Sequence, residues 1–186
     1  MKTYCINLAQ RKSKWYRTQL ECMKLNLDPE RFDAILDTNG HMGCMQSHLK
    51  LLEQIEDDVF MIIEDDIEVL DNVLAKAIKQ LPDDWDMLYL GAELTKKIDR
   101  YSDNLYRLKG GKVTHAIIYN NKGVVDYILE NCRLTIDEFY AFDVQEKFNV
   151  YITYPMVCSQ MDGYSDTQHW WTDYDVMRAN YIKYTK

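Results

Sequence analysis

Three acidic side chains, Glu64, Asp65 and Asp66, follow directly after the apolar run Val59–Ile63. A divalent cation that holds a diphosphate needs only one or two protein carboxylates, because phosphate oxygens and water fill its other positions. Adjacent carboxylates at the end of a buried strand repel one another, so a bound cation or solvating water must offset that repulsion. We predict a cation site, with Asp66 as a direct ligand and Glu64 or Asp65 as the second.

Two other acidic pairs have the Asp-x-Asp spacing often associated with sugar-nucleotide transferases, namely Asp84 with Asp86 and Asp173 with Asp175. Thirty acidic residues among 186 produce such pairs by chance. The first pair precedes a predicted strand, at the end opposite to where ligands bind, so we interpret it as structural. The second pair lies in an aromatic and polar stretch outside any predicted strand, and a solvated surface explains it. Position at the carboxyl end of a strand therefore selects Glu64–Asp66.

The elements that position this cluster alternate along the chain. Apolar runs predict strands at 3–8, 32–36, 59–63, 87–90, 116–119 and 150–154, and helical spacing predicts helices at 14–25, 43–55, 72–81, 122–131 and within 137–148. This alternation predicts an α/β fold with a mostly parallel central sheet and flanking helices. We expect a single domain over residues 1–186, with a donor nucleotide-binding half at 1–91 and an acceptor-side half at 92–186.

The formal net charge of −8 argues against nucleic acid as the main partner and requires a cation or local basic groups at any phosphate site. The five cysteines are scattered, odd in number and without metal-site spacing, which indicates reduced thiols and a cytoplasmic protein. The N-terminal residues enter a predicted strand at once, so we expect no secretory signal. No apolar run approaches the roughly 20 residues of a transmembrane helix.

Several short segments, taken in order, resemble glycosyltransferase family 25, the group of bacterial lipooligosaccharide and collagen galactosyltransferases. The resemblance implies a GT-A-like fold, a UDP-sugar donor, Mn²⁺ (or Mg²⁺), and inverting transfer of a hexose, galactose or glucose, to a glycan or glycoconjugate such as lipopolysaccharide. This chain is short for the family, which leaves the acceptor side least defined. The segments that carry the resemblance are Tyr4–Leu8 with Arg11, Gly43–His48, Ile62–Ile67, Trp85–Gly91, Asp143, Gln160 and Ser165–Asp166.

Residues near the first two helices are candidates for binding the donor. Asn7, Leu8 and Arg11 follow the first strand, where they could meet the nucleotide or its phosphates, with Lys14 a weaker candidate. Ser47 and His48 become donor-binding candidates, with Glu64 and Asp65, through the family resemblance. A turn role for Asn7, and helix capping or support of the acidic motif by Ser47 and His48, are the alternatives.

An inverting transfer needs a base that takes the proton of the attacking hydroxyl. Asp143 is our catalytic candidate, because its neighbours Phe142 and Val144 predict partial burial and a raised pKa. Asp137, Glu138 and Glu93 are held in reserve. His169 is a candidate third metal ligand, since imidazole suits such a site, and a surface histidine is the alternative.

Two other functions remain open at this point. One is a non-catalytic module that binds a sugar nucleotide or carbohydrate, and the other is a different metal-dependent nucleotide or phosphate enzyme.

Overall fold

An eight-stranded sheet forms the centre of the structure, a computed structural model that describes residues 1–120, 122–133, 135–165 and 170–185. From one edge to the other the strands are β2 (Pro29–Asp33), β1 (Lys2–Asn7), β3 (Phe60–Glu64), β10 (Ala116–Tyr119), β5 (Met87–Tyr89), β11 (Val150–Thr153), β8 (Leu105–Arg107) and β7 (Asp99–Arg100).

Most strands of this sheet run in one direction. Strand β1 is parallel to β2 and β3, and β5 is parallel to β11. Strand β10 is antiparallel to both of its neighbours, and β8 is antiparallel to β11 and β7. All strands except β8 and β10 therefore share one orientation, which confirms the predicted α/β class. The periodicity that predicted β10 carries no information about strand direction, so its reversed orientation was not foreseen.

Helices and short ribbons surround the sheet. The helices are α1 (Lys12–Lys24), α2 (Gly40–Leu52), α3 (Leu74–Ile78), α4 (Lys122–Asn131), α5 (Ile136–Phe139), α6 (Gln145–Lys147) and α7 (Asp175–Thr185), and the π-helical turn Tyr140–Val144 joins α5 to α6. Three antiparallel ribbons pair β4 (Ile67–Val69) with β12 (Cys158–Gln160), β6 (Glu93–Leu94) with β9 (Gly111–Lys112), and β13 (Gly163–Ser165) with β14 (Trp170–Thr172).

Strand β3 is buried on both faces, as its uninterrupted apolar sequence predicts. Phe60 and Ile62 join one hydrophobic cluster, whereas Met61 and Ile63 join the other on the opposite side of the sheet. Glu64, the last residue of this strand, therefore lies where the buried core ends, at the edge of the sheet.

The two halves of the sequence share this sheet, since β10 lies between β3 and β5 and is hydrogen-bonded to both. The backbone of β12 passes very close to Gly91, which follows β5. A Cβ atom at Gly91 would lie 1.9 Å from the carbonyl oxygen of Cys158. This approach holds β12, and with it Gln160, beside β4 at the end of the acidic cluster. In the part of the chain that is described, no helix has the length and apolar character of a membrane span.

Candidate active site

A cleft of about 400 Å³ opens at the carboxyl ends of β1 and β3. Parallel strands bring their carboxyl ends to one edge of a sheet, and ligands of such sheets bind there. The cleft collects predicted site residues from three elements: Leu8, Arg11, Ser47, His48, Glu64, Asp65 and Asp66. The remaining lining residues are Ile6, Lys14, Ala34, Ile35, Leu36, Asp37, Thr38, Gly40, Gly43, Cys44, Gln160 and Tyr174.

Asp65 interacts with its neighbours through both its side chain and its backbone carbonyl. Asn7 donates a hydrogen bond from Nδ2 to Oδ2 of Asp65 over 2.7 Å, and Lys14 Nζ lies 3.6 Å from Oδ1. Thr18 donates from its hydroxyl to the backbone carbonyl of Asp65 over 2.9 Å. The Asn7 amide also donates to the carbonyl of Arg11 over 3.2 Å. These contacts give Asn7 and Asp65 the role of fixing the turn after β3 against α1.

Glu64 lies between α2 and the segment before β10. Thr114 donates to Oε1 over 2.7 Å, and His48 Nε2 lies 3.3 Å from the same oxygen. Burial favours the neutral acid, but the contacts with His48 and Thr114 outweigh burial and lower the pKa of Glu64. Glu64 is therefore held as a carboxylate at the wall of the cleft.

Asp66 differs from both of its neighbours. Its Oδ1 atom is buried and has no hydrogen-bond partner among the residues described, and Lys14 Nζ lies 4.0 Å from Oδ2. Burial, together with the negative charge of Glu64, raises the pKa of Asp66 to about 7. An unpartnered carboxylate oxygen beside a second carboxylate is a place where a bound cation is stabilised. The donor set of Glu64 and Asp66 therefore fits a divalent cation that prefers oxygen, such as Mn²⁺ or Mg²⁺.

Cys44 adds a second possible donor set, which the sequence analysis did not include. One ligand atom each of Cys44, His48 and Glu64 lies within 4.8 Å of the others. Burial raises the pKa of the Cys44 thiol well above its ordinary value, so the thiol stays protonated. Cys44 precedes His48 by one helical turn, and this i, i+4 spacing was the signal available in the sequence.

Ser47 is buried and bonded on both sides. Its hydroxyl accepts a hydrogen bond from the backbone N–H of Ile35 over 2.8 Å and donates to the carbonyl of Gly43 over 2.6 Å. These bonds join α2 to the segment after β2, which forms one wall of the cleft. Ser47 lines the cleft while holding that wall in place.

A second cavity, of about 130 Å³, adjoins the cleft. The two spaces share four residues, namely Cys44, Glu64, Gln160 and Tyr174. The second cavity also presents the carboxylates of Glu93 and Asp137, two of the reserve candidates for the base. His41, Val113, Thr114, Thr135 and Ile136 complete its lining.

Asp143 is partly buried, as predicted, but it lies outside the cleft and the second cavity. It lies in the π-helical turn with 36% of its side chain exposed, and it lines neither of these two spaces. Tyr127 donates its hydroxyl proton to Oδ1 over 2.5 Å, and Lys147 Nζ lies 2.8 Å from Oδ2. These bonds lower the pKa of Asp143, so the predicted rise was wrong. The cause is the helical i, i+4 spacing, which pairs Asp143 with Lys147 at the surface. His169 lies outside the described residues.

The two other acidic pairs agree with their interpretations, since Asp84 and Asp86 make structural hydrogen bonds and Asp173 and Asp175 are exposed at the surface. Asp86 accepts a hydrogen bond from the backbone N–H of Asn149 over 2.6 Å, and Asp84 accepts one from the Asn149 side chain over 2.9 Å. Asp173 accepts from the backbone N–H of Asp175 over 2.8 Å at the start of α7. None of these four residues lines the cleft or the second cavity.

Residues 36–139 match a family model described as glycosyltransferase family 25 (LPS biosynthesis protein). No functionally curated sequence is significantly similar to the chain. The solved structure of the A197 protein from STIV is similar, with 10% identity, a TM-score of 0.50, and coverage of 92% of this chain and 93% of that one. This likeness shows a shared fold.

Two galactosyltransferase structures are also similar. One is a Drosophila galactosyltransferase 7 variant in complex with manganese, UDP-Gal and xylobiose, at 10% identity and a TM-score of 0.49, covering 95% of this chain and 79% of that one. The other is the galactosyltransferase LgtC in complex with donor and acceptor sugar analogs, at 12% identity and a TM-score of 0.37, covering 71% and 60%.

Proposed function

The chain belongs to glycosyltransferase family 25, and from that premise we propose that it transfers a hexose, galactose or glucose, from a UDP-sugar to a hydroxyl of a glycan or glycoconjugate. The transfer uses Mn²⁺ or Mg²⁺ and inverts the anomeric carbon. The observation that supports this most strongly is the buried, unpartnered Oδ1 of Asp66 beside Glu64 in the cleft. A buried carboxylate without a compensating charge is costly, and a bound cation supplies that charge.

Asp66, with Glu64 as the second ligand, is the cation site in this proposal. Mn²⁺ and Mg²⁺ prefer the hard oxygen atoms of carboxylates to the soft sulfur of a thiol, so Cys44 is left out of the ligand set. Asp65 supports the site through its bond to Asn7. His48 orients Glu64 through the 3.3 Å contact. When bound, the cation stabilises the negative charge of the departing diphosphate.

The nucleotide would lie along the rest of the cleft. Its base and ribose would pack on an apolar wall, and its phosphates would lie near Arg11 and Lys14, the lining residues with permanent positive charge in the described chain. Basic residues next to the cation site allow a protein of net charge −8 to bind a diphosphate. The apolar wall consists of Ile6, Leu8, Ala34, Ile35 and Leu36.

The family description, LPS biosynthesis, favours a growing lipopolysaccharide-type glycan as the acceptor. We place the reaction in the cytoplasm, because five scattered cysteines, odd in number and without metal-site spacing, are typical of a protein from a reducing compartment. In this proposal residues 1–91 supply most of the donor cleft and residues 92–186 supply much of the acceptor side.

Calorimetric titration of UDP into the protein, with and without Mn²⁺, tests the proposal. UDP is expected to bind at least about tenfold more tightly with Mn²⁺, and Asp66→Asn should remove that gain. Asp126→Asn, the same chemical change on an exposed position of α4, is the matched control and should keep it. Equal UDP affinity with and without the cation would overturn the metal-dependent function.

A further inference from the structure

Two carboxylates in the second cavity are without a fixed partner. The side chains of Glu93 and Asp137 make no hydrogen bond or ion pair within the described part of the chain, although both residues line a space next to Glu64. The other second-half candidates are engaged at the surface: Asp143 by Lys147 and Tyr127, and Glu138 by Lys112 at 3.5 Å. Free carboxylates in a cavity are available to a ligand.

Cys44 lines both the cleft and the second cavity, so it relates the position of Asp137 to that of the cation site. The ligand atoms of Cys44 and Glu64 lie within 4.8 Å of each other. Asp137 lines the second cavity and Asp66 lines the cleft, and the two spaces share Cys44 and Glu64. Asp137 therefore approaches the shared wall from the second cavity, while Asp66 approaches it from the cleft.

We propose, on the basis of the function proposed above, that the second cavity binds a neutral sugar of the acceptor and that Asp137 is the catalytic base. Its carboxylate accepts a hydrogen bond from the attacking hydroxyl, and Glu93 accepts one from another hydroxyl of the same sugar. The two carboxylates orient the acceptor toward a donor sugar that lies at the shared wall.

The chemical step balances without a further reactant. The acceptor hydroxyl oxygen forms a bond to the anomeric carbon while its proton passes to Asp137. The bond between the anomeric carbon and the diphosphate oxygen breaks, and its electron pair leaves with UDP. Attack from the side opposite to the diphosphate inverts the anomeric carbon, so the base must lie away from the phosphates. A separate acceptor cavity beyond Glu64 meets that requirement.

The charge of the cavity selects the type of sugar. Glu64, Glu93 and Asp137 line it, and none of its described lining residues is lysine or arginine. A sugar carboxylate would meet like charges there without a compensating cation from the protein, whereas neutral hydroxyls can donate to these oxygens. The acceptor sugar is therefore neutral, and an acidic sugar such as a uronic acid is excluded.

Release of UDP from UDP-galactose or UDP-glucose with Mn²⁺ tests this inference, with octyl β-galactoside, octyl β-glucoside and octyl β-glucuronide as acceptor probes. The neutral glycosides should stimulate release and the glucuronide should not. Asp137→Asn should lower the stimulated rate by about 10²–10⁴-fold, the usual effect of losing a general base. The same variant should bind UDP and Mn²⁺ within about twofold of wild type. Glu93→Gln should mainly raise KM for the glycoside, and Asp126→Asn should change neither quantity.

Three results would overturn the inference: a stimulated rate that survives Asp137→Asn, equal stimulation by the glucuronide, or no stimulation by any neutral glycoside while UDP and Mn²⁺ bind normally. Failure of the underlying function looks different, because wild-type protein would then show no cation-dependent binding of UDP at all.

Discussion

Asn7 donates a hydrogen bond of 2.7 Å from Nδ2 to Oδ2 of Asp65, and this bond separates three consecutive acids by role. Asp65 is held by Asn7 and by Lys14 at 3.6 Å, and Glu64 by Thr114 and His48. Asp66 keeps a buried oxygen without a partner in the described chain. The partners of each carboxylate, and not the spacing of the acids in the sequence, therefore distinguish Asp65, which supports the site, from Asp66, which binds the cation.

Asn7→Ala should destabilise the protein. Asn7 and Asp65 are 1% and 8% exposed, so removing the amide leaves a buried carboxylate short of a donor. Hydrogen bonds to charged groups contribute about 1.5–3 kcal/mol, and a loss of that size in the free energy of unfolding is expected in urea titrations. Asp126→Ala at the surface should cost less than about 0.5 kcal/mol. A similarly small cost for Asn7→Ala would show that the bond does not fix the turn.

Asp66→Asn should stabilise the metal-free protein, increasingly so at higher pH. The folded carboxyl loses its proton near pH 7, whereas the unfolded one does so near 3.8. Ionisation therefore costs the folded state free energy, and the cost grows from about pH 4 to about pH 7 and is constant above. Urea unfolding in the presence of EDTA between pH 4 and 8 measures the gain. A gain that is independent of pH would contradict the raised pKa.

Asp143→Asn should leave both transfer and stability nearly unchanged. The residue lies at the surface in an ion pair with Lys147, and such exposed pairs contribute about 0–1 kcal/mol. Steady-state UDP release is expected within about twofold of wild type. A loss of about 100-fold or more would return the role of base to Asp143 and remove it from Asp137.

Gly91→Ala should destabilise the fold and lower the unfolding temperature. The added Cβ would lie 1.9 Å from the backbone oxygen of Cys158, and a backbone atom cannot swing aside as a side chain can. Overpacking costs typically about 1–3 kcal/mol and occasionally more, which thermal unfolding would detect. In Gly163→Ala the nearest atom would be 4.0 Å away, so this control should unfold near the wild-type temperature. Equal unfolding temperatures for the two variants would contradict the close approach of β12.

The fold was predictable where the sequence carried a strong local signal. The uninterrupted apolar run of β3 indicated a strand buried on both faces, and its carboxyl end located the acids that the cleft contains. Strand direction has no such signal, so the reversed β10 and its place between β3 and β5 were missed.

The acceptor side was harder to predict for the same physical reason. Glu93 and Asp137 are 44 positions apart and meet only through tertiary packing, so neither could be preferred from local pattern. Asp143 had apolar neighbours in sequence, but the π-helical turn directs it to Lys147 rather than into a cavity. Cys44 shares α2 with His48, but it was not predicted as a ligand because Glu64, its other metal-site partner, lies on β3.

In the function proposed here, Asp66 binds the cation that holds the donor. Electron paramagnetic resonance of free Mn²⁺, titrated into protein and UDP, measures this binding. We expect one bound Mn²⁺ per wild-type chain, none for Asp66→Asn over the same range, and retained binding for Cys44→Ser. Binding that survives Asp66→Asn but is lost in Cys44→Ser would contradict it and assign the cation to Cys44, His48 and Glu64 instead.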